Sequence, residues 1–593
     1  MSSIVSEAQA IAPQDRRLIL TGVLLALFLA ALDQTIVSTA LPRIVQDLEG
    51  VSRYAWVATA YLLASTALVP IYGKLADTYP RKYVELGAVI LFLSGSVLCG
   101  LSGEFGSLPL IGDGMNQLIL FRAVQGAGGA GLIAMTFIVI ADLFPPAQRG
   151  RYQGLVGGTW GIASVLGPLL GGILTDHAGG VIPGVEGWRW VFYVNLPLGA
   201  VALWFLVRRM PPLEPLGDHP APDLLSAALL LGGLTPLVLA LQLDKTRFPW
   251  FPGAVPGLGS EAWQAWVTPV LFLVAVILLG AFIQRSRRAR SPILDLTLFR
   301  DAVFRRANAA AFFFGGAFMS IVIFLPLFLV NVVGVSATRA GMALVPFSMG
   351  LVFGSTFAGQ LASRIGHLRD QILVGGAILF VAVVLLARMT PDARYGMVTL
   401  YTVLCGLGFG PTLPLFTLAI QNSVDVRRVG QATSAAQFFR QIGGTVGAAL
   451  MGTVLSTTLI LSFASMDLPP ELEADPEYAP TRLASTGARG LAERVRAVYI
   501  ERGAGTGAAA ARSGEESAAA ANRGAAANPG ETARVRAEAE AERVRAEVRA
   551  AFTRATTRVY LLTAWLVAVA WLLSWRLPER PLRTTHDREV LAT

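Results

Sequence analysis

The sequence predicts an all-α integral membrane protein with fourteen spanning helices: two pseudo-symmetric six-helix bundles and two inserted helices. Three observations lead there. The 593 residues are 54% hydrophobic and 15% charged, with a mean hydropathy of +0.58, outside the range of a soluble domain of this size. Apolar runs of bilayer length, about 20 residues each, recur along the chain. Short motifs in the first half also return at matching places in the second.

The elements follow in order. After an N-terminal segment, 1–17, the first half (18–207) holds runs at Leu18–Leu41, Trp56–Tyr72, Val84–Leu101, Leu118–Leu143, Tyr152–Thr175 and Val191–Val207. The first run is longer than a signal h-region and ends at "LPRI" without a small-residue cleavage pattern, so it is expected to be retained. A linker, 208–300, carries the inserted pair, Leu224–Leu243 and Trp266–Ile283. The second half (301–593) holds Ala307–Val330, Gly341–Leu361, Ile372–Leu386, Met397–Ile420, Ala432–Phe463 and Val559–Trp575, with an insertion at 464–555 and a tail at 577–593. Within the insertion "AERVRA" occurs twice, and Val544, Val548, Phe552, Ala555 and Val559 form a helical stripe running into the last span. The last two membrane helices are therefore expected to extend beyond the bilayer as a charged hairpin around a low-complexity, flexible middle.

The net charge of +9 comes almost wholly from arginine; Lys74, Lys82 and Lys245 are the only lysines. Basic residues gather in alternate short loops, including Arg16/Arg17, Arg81/Lys82, Arg149/Arg151, Arg208/Arg209, Arg285–Arg306, Arg364/Arg369 and Arg427/Arg428. That pattern sets topology, with both termini cytoplasmic, and suits anionic headgroups and not nucleic acid. Cys99 and Cys405 lie in apolar runs, which excludes a disulfide framework or a cysteine-ligated metal. His177, His219, His367 and His586 fall in loops or the tail, and no phosphate-binding glycine loop or nucleophile–base constellation stands out. No enzyme activity, metal or cofactor is expected.

Four stretches carry the functional expectations. "LFLAALDQTIVSTALPRI" puts Asp33 inside an apolar run, where a carboxylate needs a partner. "LILFRAVQGAGGAG" offers that partner in Arg122. "GKLADTYPRK" pairs a turn glycine, Gly73, with Asp77, which can meet Arg81 and a neighbouring helix N-terminus. "GIASVLGPLLGGIL" combines a proline bend at Pro168 with small residues, Gly167, Gly171 and Gly172, that admit another helix. Two of these motifs echo in the second half: "GQLASRIGHLR" from Gly359 and "GLGFG" from Gly406.

These stretches resemble the major facilitator superfamily, and more narrowly its fourteen-helix drug:proton antiporters, over nearly the whole chain except roughly 465–555. The resemblance rests on L-D-x-T-I-V-x-x-A-L-P-x-I, with Thr35 and Pro42; on R-x-x-Q-G, with Gln125 and Gly126; and on "WRWVFYVNLPLG", with Trp188, Arg189 and Asn195. It implies the major facilitator fold, a proton carrier at Asp33 in the central cavity tuned by Arg122, and a latch at Gly73, Asp77, Arg81 and Lys82 holding the outward-facing state. It also implies an antiporter kink at Gly167–Gly172. Tyr79-Pro80 departs from the family by standing where a glycine is usual.

Spans one, four, nine and twelve should line the cavity. The ninth is rich in phenylalanine, with Phe312, Phe314, Phe318 and Phe324 as candidate cavity residues, and spans nine, ten, twelve and thirteen hold no Asp or Glu. A lipophilic monocation, a neutral amphiphile or a lipid suits such a cavity better than a dication. The resemblance thus implies a functional monomer in the cell membrane that exports hydrophobic compounds in exchange for protons. Two alternatives stand: a lipid or glycolipid exporter whose hairpin meets a lipid or an envelope lipoprotein, and a non-transporting receptor or sensor.

Overall fold

A computed structural model describes residues 11–48, 53–109, 111–180, 185–215, 223–242, 260–289, 291–335, 337–473, 475, 478, 483, 491–501 and 529–582. Among them are fourteen helices long and apolar enough to cross a membrane. The first half contains α1 (Pro13–Asp47), α2 (Tyr54–Thr78), α3 (Arg81–Gly100), α4 (Gly114–Leu143), α5 (Pro146–His177) and α6 (Asn195–Arg209). The inserted pair is α7 (Leu224–Gln242) and α8 (Ser260–Arg288). The second half contains α9 (Ala302–Phe328), α10 (Leu344–Ile365), α11 (Leu368–Ala387), α12a (Tyr395–Phe409) with α12b (Thr412–Ser423), α13 (Val429–Ala464) and α14 (Pro529–Trp575).

The duplication read from the motifs is visible in the packing. In the first half α4 lies against α2 and α3, and in the second α12a lies against α10 and α11. Glycines make both approaches possible: a Cβ on Gly126 or Gly128 would strike the backbone of Tyr61 or Phe92, and one on Gly406 or Gly408 the backbone of Phe347 or Leu379. The halves meet along two related seams, α2 with α13 and α5 with α10. The echoed glycines sit on those seams, Gly73 against Gly430 and Ser434, Gly359 against Gly150 and Gly154. Each inserted helix packs on the other, and α7 also touches α2 and α13, while α8 presents Trp266, Leu273 and Val276 outward as a lipid-facing surface does.

Two expectations about helix ends change. The twelfth span is broken after Phe409, where Gly410 packs against Gly354 and Pro411 cannot donate a backbone hydrogen bond. Beyond the membrane, α14 extends as expected into a single 47-residue helix, but α13 stops at Ala464, before Pro469 and Pro470. The helical segment 491–501 supplies the facing surface instead, burying Leu491, Val495 and Val498, with Arg496 3.1 Å from Glu538 of α14. The low-complexity middle, 502–528, and most of the tail lie outside the described residues.

Candidate functional site

Asp33 is fully buried, with Arg122, Gln125 and Asn195 against its carboxylate. Arg122 Nη1 lies 2.6 Å from Asp33 Oδ2, Gln125 Nε2 donates to Oδ1 at 2.8 Å, and Asn195 Nδ2 donates to Oδ1 at 3.3 Å. α1, α4 and α6 each contribute one part. The R-x-x-Q spacing puts Arg122 and Gln125 on one face of α4, and Arg122 Nη1 also donates to Gln125 Oε1 at 2.8 Å. Arg122 stacks over the Tyr61 ring at 4.3 Å, and Asn195 donates to Ser96 Oγ at 3.0 Å. A charged hydrogen-bonded pair of this kind tolerates burial because its lone pairs and protons are occupied.

The position differs from the one the resemblance implied. Every residue around Asp33 just named belongs to the first half, so in this state the carboxylate faces into the N-terminal bundle and not into the space between the halves. The motif of α5 closes the same region from the other side. Thr35 Oγ1 donates to Ala163 O at 3.0 Å, and Cβ atoms on Gly167 or Gly171 would collide with Thr35, Ile36 or Thr39 of α1. Gly172 borders open space and takes no part. The Pro42 side chain lies outside the described residues. Trp188 and Arg189 act elsewhere in the bundle: Trp188 donates to Asp47 at 2.9 Å, and Arg189 holds Gly100 O, Ser102 O and Glu104.

The second predicted cluster joins the halves at the basic end. Asp77 accepts from Gly430 N at 3.1 Å and Gln431 N at 2.8 Å, so a carboxylate from α2 caps the N-terminus of α13. Arg81 lies 3.9 Å from Asp77 but only 2.9 Å from Asp142, which sequence reasoning did not select. Lys82 does not bridge the halves; its Nζ donates to Val207 O of α6 at 2.9 Å. Tyr79 is extended, with φ −118°, and Pro80 precedes α3, so this turn needs no positive φ and no glycine. Further ties at this end are Gln153 to Gln421 at 2.9 Å, Arg151 N to Ser363 at 3.1 Å and Ser355 to Gly154 O at 2.9 Å. The Thr66–Gln441 contact lies near mid-helix, and toward the opposite end Ser38 of α1 is exposed.

Of the four candidate phenylalanines, two share a cluster. Phe318 meets Phe347 at 5.6 Å and Phe409 at 5.4 Å, and Phe314 meets Phe416 at 5.8 Å. Phe312 pairs with Phe313, and Phe324 is buried toward α13, with its ring 4.0 Å from where a Cβ of Gly452 would stand. Sequence reasoning missed Phe347 and Phe409, which lie on neighbouring helices. It also missed Glu85, fully buried with neither carboxyl oxygen hydrogen-bonded among the described residues, and Arg440 in α13. The signal for both was a charge inside an apolar run. His367, Asp370 and Glu579 bring ligand-type atoms within 4.8 Å of one another, but all three are exposed and His367 already pairs with Glu579 at 2.8 Å.

Known proteins agree with this architecture. Residues 23–448 match the model of the Major Facilitator Superfamily. The chain is 36% identical over 441 residues to the multidrug transporter protein MdtP of Bacillus subtilis, covering 74% of this chain and 75% of that protein. It is 37% identical to multidrug resistance protein 3 of the same organism, covering 74% and 79%. It is also 32% identical to the uncharacterized MFS-type transporter Rv1877 of Mycobacterium tuberculosis, covering 83% and 68%. The crystal structure of the human organic anion transporter MFSD10 superposes with TM-score 0.53 at 14% identity over 94% of this chain and 100% of that one, a likeness of fold. Fourteen membrane helices, two repeated halves and these relatives place the chain in the major facilitator superfamily, as a multi-pass membrane transporter of the efflux type and not an enzyme.

Proposed function

We propose that this transporter exports hydrophobic or amphiphilic compounds in exchange for protons, by alternating access, from the cytoplasmic side of the cell membrane. The observation that carries the reading is the buried Asp33–Arg122 pair with Gln125 and Asn195 around it. Protonating Asp33 removes the charge that Arg122 faces, so proton binding and the arrangement of α1, α4 and α6 are coupled through one carboxylate. Thr35 and Gly167 pass that arrangement to α5, which forms one of the two seams between the halves. With the basic end taken as cytoplasmic, the Asp77 cap and the Gln153–Gln421 contact close the inner side, as an outward-facing state requires.

The test is gradient-driven flux of ethidium in liposomes, comparing wild type with Asp33→Asn. Loss of flux with retained substrate binding supports coupling at Asp33; unchanged gradient-driven flux overturns it. A second reading, lipid or glycolipid export, is favoured by the long projection of α14 and the 491–501 segment packed against it. Removing 487–554 separates the two readings, because drug flux that survives the deletion leaves the projection without a transport role.

A further inference from the structure

Arg440 is a charge inside α13 with no acid paired to it among the described residues. Its one hydrogen-bond partner among the described residues is Gln437 Oε1, one turn earlier on the same helix. Gln437 is itself buried, and its Nε2 has no acceptor. The pair therefore presents N–H donors from two side chains, while its own acceptor, Gln437 Oε1, is taken by Arg440. Spans nine, ten, twelve and thirteen contain no Asp or Glu to satisfy it.

Its place in the fold adds to the argument. The next residue, Gln441, reaches across to Thr66 of α2, so Arg440 stands beside a seam between the halves. A Cβ on Gly315 would strike the Arg440 backbone carbonyl, which sets this turn of α13 directly against α9, where Phe314 precedes Gly315 and Phe318 lies one turn on. Arg440 is half-buried, and its remaining donor nitrogens are not sealed from the surface as the Gln437 amide is. An unpaired guanidinium at membrane depth is costly, and it is stabilised most by an acceptor that brings its own negative charge in a bidentate geometry.

We propose that Arg440 and Gln437 form a binding site for the acidic headgroup, carboxylate or phosphate, of an amphiphile whose apolar part lies along the Phe314–Phe318–Phe409 cluster. This deepens the transport reading above and rests on it for the identity of the ligand as a substrate. It also narrows the preferred substrate class, from the lipophilic monocation, neutral amphiphile or lipid expected of this cavity to an acidic amphiphile.

The experiment is equilibrium binding of dansyl-undecanoic acid to the purified full-length protein, with its methyl ester as the uncharged control. The acid is expected to bind roughly tenfold or more tightly than the ester, the worth of a charged hydrogen bond, and Arg440→Gln is expected to abolish the difference while Arg440→Lys retains part of it. Gln437→Glu supplies an internal acid and is expected to displace the ligand without unfolding the chain, which covers a failure of Arg440→Gln to fold. Repeating the titration in nanodiscs with and without phosphatidylglycerol distinguishes the sources: competition by that lipid assigns the site to a bilayer headgroup, and no competition to a free amphiphile. Equal affinity for acid and ester, or full binding by both Arg440→Gln and Gln437→Glu, overturns the proposal. Binding needs no proton gradient, so failed flux with intact acid-selective binding rejects the transport reading alone.

Discussion

The two halves share a helical plan but not a polar interior. In the first, an arginine and an aspartate meet at 2.6 Å and two amides complete the carboxylate's hydrogen bonds. In the second, the half-buried Arg440 has one amide oxygen and, among the described residues, no acid. The difference teaches that duplicated helices fix where the backbone runs while leaving each half free to place charge. One half holds a closed hydrogen-bonded network around a carboxylate; the other holds an arginine and an amide with no acid beside them among the described residues.

The sharpest way to break this comparison is to remove each arginine in turn. Arg122→Leu leaves Asp33 buried without its counter-charge and is expected to cost about 3–5 kcal/mol, read as a lowered Tm of the purified protein. Asp33→Asn combined with Arg122→Gln should recover part of that loss, because neither charge is then stranded. A next-largest effect is expected at the basic end. Asp77→Asn removes the negative charge at the N-terminus of α13 and should weaken closure by up to about 1 kcal/mol, seen as a longer distance population between spin labels at Gln148→Cys and Arg364→Cys.

Smaller still, Arg440→Gln breaks no ion pair and should change stability by no more than about 1 kcal/mol; a loss as large as that of Arg122→Leu would show that the two interiors are alike after all. The smallest effect concerns the inserted pair. The Arg285 guanidinium, at 2.8 Å, holds the Asp223 carboxyl at a pKa of about 2. Because the folded value lies below the unfolded one, about 3.9, this contact stabilises fully above pH 4 and is lost as pH falls through about 2. Asp223→Asn should therefore lower Tm by no more than about 2 °C at pH 7 and make no difference near pH 2.

Much of this was legible in the sequence because membrane helices announce themselves by length and because motif spacing fixes helical faces. Arg122 and Gln125 had to share a face of α4, and an isolated Asp33 had to find a cation. What spacing does not give is the neighbour across a seam. Asp77 was expected at a helix N-terminus, but only packing identifies α13 as that helix and Asp142 as the nearer acid for Arg81. Lys82 was grouped with the latch because it is adjacent in sequence, yet its side chain turns back onto α6. The phenylalanines of α9 point in several directions, so a run of them cannot say that Phe318 joins Phe347 and Phe409 while Phe324 packs against α13.

At about 1.5 Å per residue, the 47 residues of α14 measure about 70 Å, against about 30 Å of hydrocarbon. The membrane part packs on α9, α11 and α13, so the rod is anchored mainly to the second half among the described residues. If the halves rock against each other, as the proposed alternating access requires, a small tilt at the bilayer becomes a wide sweep at the far tip. The helix would work as a pointer, reporting the state of the transporter many ångströms from where the exchange takes place.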